Sequence, residues 1–218
     1  MEHKKLKPLP IGIQTYSEVI NRGCLYIDKT KYIVKMQEAS KYIFLSRPRR
    51  FGKSLLVSTL QAYFEGKKEL FKGTYIYSAK KEWTEYPVLR FDLSTAKHAN
   101  AEELKQELDS KLSAYEQIYG KGLPTLVKPN QRLQGLIERA HAQTGNQVVL
   151  LFDEYDAPLL DVVHKQDQLE QLREVMRNFY SPLKYSDPHL KFVFITGITK
   201  FSQLSIFSEL NNLRNISM

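Results

Sequence analysis

The stretch Tyr42-Ile43-Phe44-Leu45-Ser46-Arg47-Pro48-Arg49-Arg50-Phe51-Gly52-Lys53-Ser54-Leu55 decides the fold. Its first four residues are a short apolar run suited to a strand. Pro48 should stop that run, because proline cannot donate to a sheet ladder. From Lys53 to Phe64 the apolar residues Leu55, Leu56, Leu60 and Phe64 recur at helical spacing. Strand, tight turn and helix therefore follow one another. The turn closes on Gly52-Lys53-Ser54, the end of the pattern G-x-x-x-x-G-K-[ST]. Amides at such a helix start point toward an anion, and the helix dipole favours negative charge there. Gly52 would let the backbone approach closely. Lys53 would reach β/γ-phosphates, and the Ser54 hydroxyl would bind Mg²⁺. The pattern has one departure: Arg47 stands where the first glycine is expected.

Outward from this stretch, strands and helices alternate. Residues 86–93 and 190–195 read as strands, and residues 102–119, 130–142 and 166–180 as helices. Val148-Val149-Leu150-Leu151-Phe152 is too short for a buried helix and suits a central parallel strand. Leu25-Tyr26-Ile27 is a further strand candidate, with a helix over about 30–39 capped by Asp28-Lys29-Thr30. Residues 1–24, with Pro8, Pro10, Gly12 and Gly23, read as an extended N-terminal arm, and residues 25–218 as one domain. A last helix is expected from Ser202. This alternation predicts an α/β fold, a parallel sheet flanked by helices. Ligands of such sheets bind at the carboxyl ends of the strands.

The strand ends carry the polar residues. Phe152 is followed by Asp153-Glu154, the Walker B pattern of an apolar strand delivering an acid to a Mg²⁺ shell. Asp153 would hold the metal and Glu154 would act as general base toward the attacking water. Tyr155-Asp156 continue the turn; Asp156 could orient Glu154 or bind a basic partner. At the end of 190–195, Thr196 is the candidate sensor of the γ-phosphate, against a plain turn through Gly197 and Thr199. Lys200 could also face phosphate. Asp92, after the strand at 86–93, suits a cap or loop anchor better than a metal ligand. Arg49 and Arg50 have two readings, a phosphate clamp or a nucleic-acid patch.

Composition narrows the classes. The 218 residues include 32 Lys/Arg and 24 Asp/Glu, a net charge of +8, with 42% hydrophobic and 26% charged residues. These values suit a soluble globular domain and not disorder or collagen. A chain of this length can bury about 70% of its unfolded surface. The positive excess lies early: residues 1–86 hold 17 Lys/Arg and 8 Asp/Glu. Such a field suits a polyanion, either nucleotide or nucleic acid. The lone cysteine, Cys24, excludes an internal disulfide and a Cys-rich zinc site, and makes a reducing cytoplasmic interior the default compartment. The charged start, Met1-Glu2-His3-Lys4-Lys5, is unlike a signal peptide. No apolar run approaches the roughly 20 residues of a membrane helix. The five histidines show no pairing at metal spacing.

The segment from Phe44 to Leu55 resembles the phosphate loop of the bacterial AAA-ATPase-like proteins, in which arginine commonly replaces the first glycine. Three further segments agree in the same order: Tyr26-Ile27-Asp28-Lys29-Thr30, Leu151-Phe152-Asp153-Glu154-Tyr155-Asp156-Ala157-Pro158-Leu159, and Ile195-Thr196-Gly197-Ile198-Thr199-Lys200-Phe201. The resemblance implies a P-loop NTPase of the additional-strand (ASCE/AAA-like) type that uses ATP and Mg²⁺. It implies Glu154, Lys53 and Thr196 as catalytic residues, Arg49 to Leu55 around the nucleotide, and Ser54 and Asp153 at the metal. Members of that family usually continue into a nuclease-like domain of the PD-(D/E)XK class. A lid and that domain are expected to be absent from these residues. Three functions stay open: an ATPase module driving a partner domain, a non-hydrolysing nucleotide switch, and a nucleic-acid-binding module.

Overall fold

The computed structural model describes residues 6–95, 100–199, 206–207, 210 and 212–217. Among these, five strands form one sheet: β1 (Tyr42–Ser46), β2 (Val88–Asp92), β3 (Val148–Asp153), β4 (Leu190–Gly197) and the two-residue β5 (Arg214–Asn215). Their order is β2-β3-β4-β1-β5, and every pairing is parallel. The described helices are α1 (Tyr16–Asn21), α2 (Lys31–Ala39), α3 (Lys53–Phe64), α4 (Tyr75–Ala79), α5 (Ala101–Tyr119), α6 (Pro129–Thr144), α7 (Ala157–Leu160), α8 (Gln166–Tyr180) and α9 (Pro182–Tyr185).

The sheet is buried on both faces, which is why β3 is apolar at every position before its terminal acid. Alternate side chains divide between two cores. Leu150, Phe152, Phe44 and Phe91 pack under α5, α6 and α8, where Phe91 and Phe152 stack with ring centres 5.2 Å apart. Val149, Leu151, Ile43 and Phe194 pack under α1, α2 and α3. The register then places strand ends side by side. Ser46 pairs with Gly197, and Asp92 pairs with Asp153, at one rim.

Several expectations change. Leu25-Tyr26-Ile27 is not a strand but an irregular segment. The N-terminal stretch is not wholly extended: α1 packs on α3, the Tyr16 amide donates to Ser58 Oγ at 2.9 Å, and the Tyr16 ring is fully buried. Pro182 ends one helix by opening another, α9, a position where its missing N–H costs nothing. The helix expected from Ser202, and Lys200 before it, lie outside the described residues. No described helix is long and apolar enough to cross a membrane.

Candidate functional site

β1 delivers the chain to the rim at Ser46. The Arg47 amide donates to the Gly197 carbonyl at 3.1 Å, carrying the β1–β4 pairing one residue further. The loop then turns through Arg50 (φ +67°) and Gly52 (φ +77°), both left-handed. Such residues curl a backbone so that its amides face one concavity. The left-handed residues fall at Arg50 and Gly52 and not at Arg47. A side chain in place of the first glycine is therefore free of backbone strain. Lys53, the first residue of α3, folds back under the loop. Its Nζ donates to the Arg47 carbonyl at 3.0 Å and the Pro48 carbonyl at 3.2 Å. The same ammonium pairs with Glu154 Oε1 at 3.0 Å, with its side chain only 3% exposed. Arg49, Arg50 and Phe51 stay exposed at the loop's outer face.

β3 ends on Asp153, which is completely buried. Neither carboxylate oxygen receives a hydrogen bond from any described residue. Burial pushes its pKa up to about 6, with the Asp92 and Glu154 charges adding to the rise. The neighbouring Ser54 hydroxyl and the Arg90 guanidinium pull it back down. Glu154 adopts a left-handed φ of +52°, uncommon for a residue with a side chain, and so leaves the strand direction abruptly. That turn carries its carboxylate to Lys53.

The end of β4 is locked to the same turn. Thr196 is buried, and its hydroxyl donates to the Leu45 carbonyl at 2.8 Å, across to β1. The Thr196 carbonyl accepts the Tyr155 amide at 2.9 Å. Asp156, also fully buried, accepts the Ile198 amide at 3.1 Å and the Thr199 amide and hydroxyl at 2.7 Å each. Its observed role is neither of the two expected ones: it anchors the turn after β4. Gly197 is needed because a Cβ there would collide with the Asp156 carboxylate and the Tyr155 ring. Asp92 Oδ1 caps its own turn through the Ser94 amide at 3.0 Å and hydroxyl at 2.7 Å.

A cleft of about 930 Å³ opens beside the loop. Phe51, Gly52 and Lys53 form one wall; Leu55 and Leu56 of α3 and the Leu25-Tyr26-Ile27 segment line the rest, with Ile216 after β5. The lining is mostly apolar, the usual character of small-molecule sites. Ser54 and Asp153 supply oxygen ligands, and Asp153 has two buried oxygens that accept no hydrogen bond, one of them facing Arg90 at 3.7 Å. Such a pair fits Mg²⁺, which is held by one or two carboxylates and a ligand's phosphates. Among the described residues no three His, Cys, Asp or Glu side chains gather as a protein-only metal cage. Two histidines do meet: His141 Nδ1 and His189 Nδ1 are 2.8 Å apart. They lie by the start of β4, opposite the rim that carries the loop.

The structure thus brings Lys53, Ser54, Asp153 and Glu154 to one place, with Phe51, Gly52 and Leu55 at the adjoining cleft. Sequence reasoning missed Arg90. A lone arginine inside an otherwise apolar strand was the signal available.

A parallel sheet with a lysine-bearing loop after one strand and an acid pair after another defines a P-loop-like α/β protein. The model of the predicted AAA-ATPase family, AAA-ATPase-like, matches residues 10–207, and the chain belongs to this family. The chain is also 39% identical over 214 residues to a protein of Azotobacter chroococcum mcd 1 described as an uncharacterized protein in the vnfD 5′ region. That alignment takes in 97% of this chain and 41% of the longer relative. No solved structure matches the chain.

Proposed function

We propose that this chain is an ATP-binding, Mg²⁺-dependent ATPase module of the additional-strand class, coupling nucleotide state to a partner domain. One observation carries the reading: the Lys53–Glu154 contact lies beside Asp153, buried with neither oxygen hydrogen-bonded, and the Ser54 hydroxyl. The insertion of β4 between β1 and β3 supports the additional-strand class. Lys53, released from the loop carbonyls, binds the β/γ-phosphates as a point charge. Backbone amides from Phe51 to Leu55 cradle the phosphates at the start of α3. Ser54 and Asp153 hold Mg²⁺, which supplies neutralisation of the phosphate charge. Glu154, released from Lys53, accepts the proton of the attacking water. Thr196, expected as the γ-phosphate sensor, is buried in β4 with its hydroxyl given to Leu45 of β1, so its role is to fix the floor of the site. Arg49 and Arg50 clamp phosphate from the outer face.

The base and ribose occupy the apolar cleft beside Phe51. In a longer chain, a nuclease-like domain is the partner that nucleotide state would move. A reducing cytoplasm suits the buried free thiol of Cys24. Phosphate release from ATP and Mg²⁺ is the test, comparing the wild type with Glu154→Gln. Turnover should fall by roughly 10²–10⁴ in the variant. Equal turnover in the two proteins would remove Glu154 from the chemistry. ATP binding without phosphate release by the wild type would make the chain a nucleotide switch. DNA binding that weakens steeply with salt and survives saturating ATP would assign Arg49 and Arg50 to nucleic acid.

A further inference from the structure

We infer that Arg90 is a positioning residue for the metal site, holding the Asp153 carboxylate by one oxygen so that the other is presented toward Ser54. The inference rests on the nucleotide reading above. Arg90 sits in β2, one turn of the pleat before Asp92, on the face that packs against α3. Its Nη2 lies 3.7 Å from Asp153 Oδ2, and its Nη1 donates to Gln61 Oε1 at 3.3 Å. Gln61 belongs to α3, the helix that begins with Lys53 and Ser54. Its Nε2 donates to Glu65 Oε1 at 2.8 Å, which orients the amide and leaves its oxygen for Arg90. A polar chain therefore runs from the acid at the end of β3, through Arg90, to the helix that carries the phosphate loop.

The backbone of Arg90 is fixed as well. β2 is an edge strand, and edge strands leave amides and carbonyls unpaired. Tyr115 Oη takes the Arg90 amide at 2.7 Å and donates to the Arg90 carbonyl at 2.9 Å, closing both. The guanidinium is thus anchored from both ends before it meets the carboxylate. Its planar fork serves Gln61 and Asp153 at the same time, which a lysine ammonium on a flexible stem does not reproduce. The need for such a residue is visible in the charges. Asp92, Asp153 and Glu154 lie together, and Lys53 is taken by Glu154. Arg90 faces the buried carboxylate at 3.7 Å. Partners of metal ligands typically alter metal affinity 10–100-fold when removed.

The test is equilibrium binding of a fluorescent ATP analogue to the full chain, in EDTA and across graded Mg²⁺. Arg90→Gln should raise the Mg²⁺ concentration for half-maximal tightening roughly 10-fold. Its affinity in EDTA should stay within about twofold of the wild type. Arg90→Lys should recover part of the loss. Gln61→Leu, which frees one end of the fork and leaves the Tyr115 clamp intact, should shift the midpoint in the same direction. That variant also keeps the test open if Arg90→Gln unfolds. A Mg²⁺ midpoint unchanged or lowered in the folded variants overturns the role of Arg90 alone. A wild type that binds the analogue with no response to Mg²⁺, or not at all, overturns the nucleotide reading and the Arg90 role with it.

Discussion

Lys53 and Glu154, the first residue of α3 and the first residue after β3, share an ion pair of 3.0 Å. Each follows a different strand, β1 and β3, and the strand between those two, β4, carries neither. The pair joins the loop to the acid turn. On the proposed reading, an incoming triphosphate competes with Glu154 for the ammonium and frees the carboxylate for chemistry.

Removing Lys53 should therefore act on binding. A charge-assisted hydrogen bond contributes about 1.5–3 kcal/mol. Lys53→Ala is expected to weaken ATP at least 10-fold in calorimetric titration. Glu154→Gln, which leaves Lys53 uncontested, should bind ATP as tightly as the wild type or more tightly. Equal loss of affinity in both variants would show that Glu154 orders the loop instead of competing for its lysine.

The Asp156 anchor predicts a stability effect away from the phosphate loop. Asp156→Ala orphans the Ile198 and Thr199 amides and the Thr199 hydroxyl. A loss of roughly 2–4 kcal/mol is expected in urea unfolding. Gly197→Ala forces a Cβ into the Tyr155 ring and should cost about 1–3 kcal/mol by overpacking. A Gly197→Ala protein as stable as the wild type would show that the turn after β4 can shift aside.

Glu116 supplies the pH test. It belongs to α5, is 6% exposed, and meets Arg132 of α6, with Arg132 Nη2 at 2.7 Å from Oε2. The hydrogen bond from Arg132 holds its pKa below the ordinary 4.5, against burial, with the Arg132 and Arg139 charges helping. A depressed folded-state pKa means stability fully present above pH 4.5 and lost as pH falls through the folded value. Glu116→Gln should be less stable than the wild type at pH 7, by less than the ~3 kcal/mol of a fully orphaned buried charge, because Asp109 still faces Arg132 at 2.7 Å. The two unfolding curves should converge in acid, where the wild-type carboxyl is protonated. A constant gap from pH 7 to pH 3 would mean that packing and not charge sets the contribution of Glu116.

On the proposed reading, the loop takes the phosphates and the cleft takes the base. Its apolar walls should favour ATP over inorganic tripolyphosphate by on the order of 10-fold or more, from apolar area removed from water. Competition titrations give the ratio directly. Equal affinities would leave the cleft without a role in nucleotide binding.

Much of this was legible before any coordinates. α3 and α8 run over the spans that their periodicity predicts, because long amphipathic stripes repeat over several turns. β3 announces itself by five consecutive apolar residues. Short elements escaped. α1 has six residues and β5 two, too few for a period to show. Leu25-Tyr26-Ile27 has the composition of a strand but pairs with none, and it lines the cleft instead.

Sequence alone placed the polar residues that close the apolar runs, since the wholly apolar pattern of a strand covered on both faces breaks where the chain leaves the sheet. Asp153 and Glu154 followed from that rule, and Lys53 and Ser54 from the Gly-Lys-Ser pattern. Which strand ends are neighbours is a property of the sheet order, and it decides the remaining partnerships. Arg90 meets Asp153 because β2 lies beside β3, and Asp156 holds the 198–199 turn because β4 lies beside β3 on the other side. Side chains far apart along the chain acquire partners only when strand pairing brings their ends to the same rim.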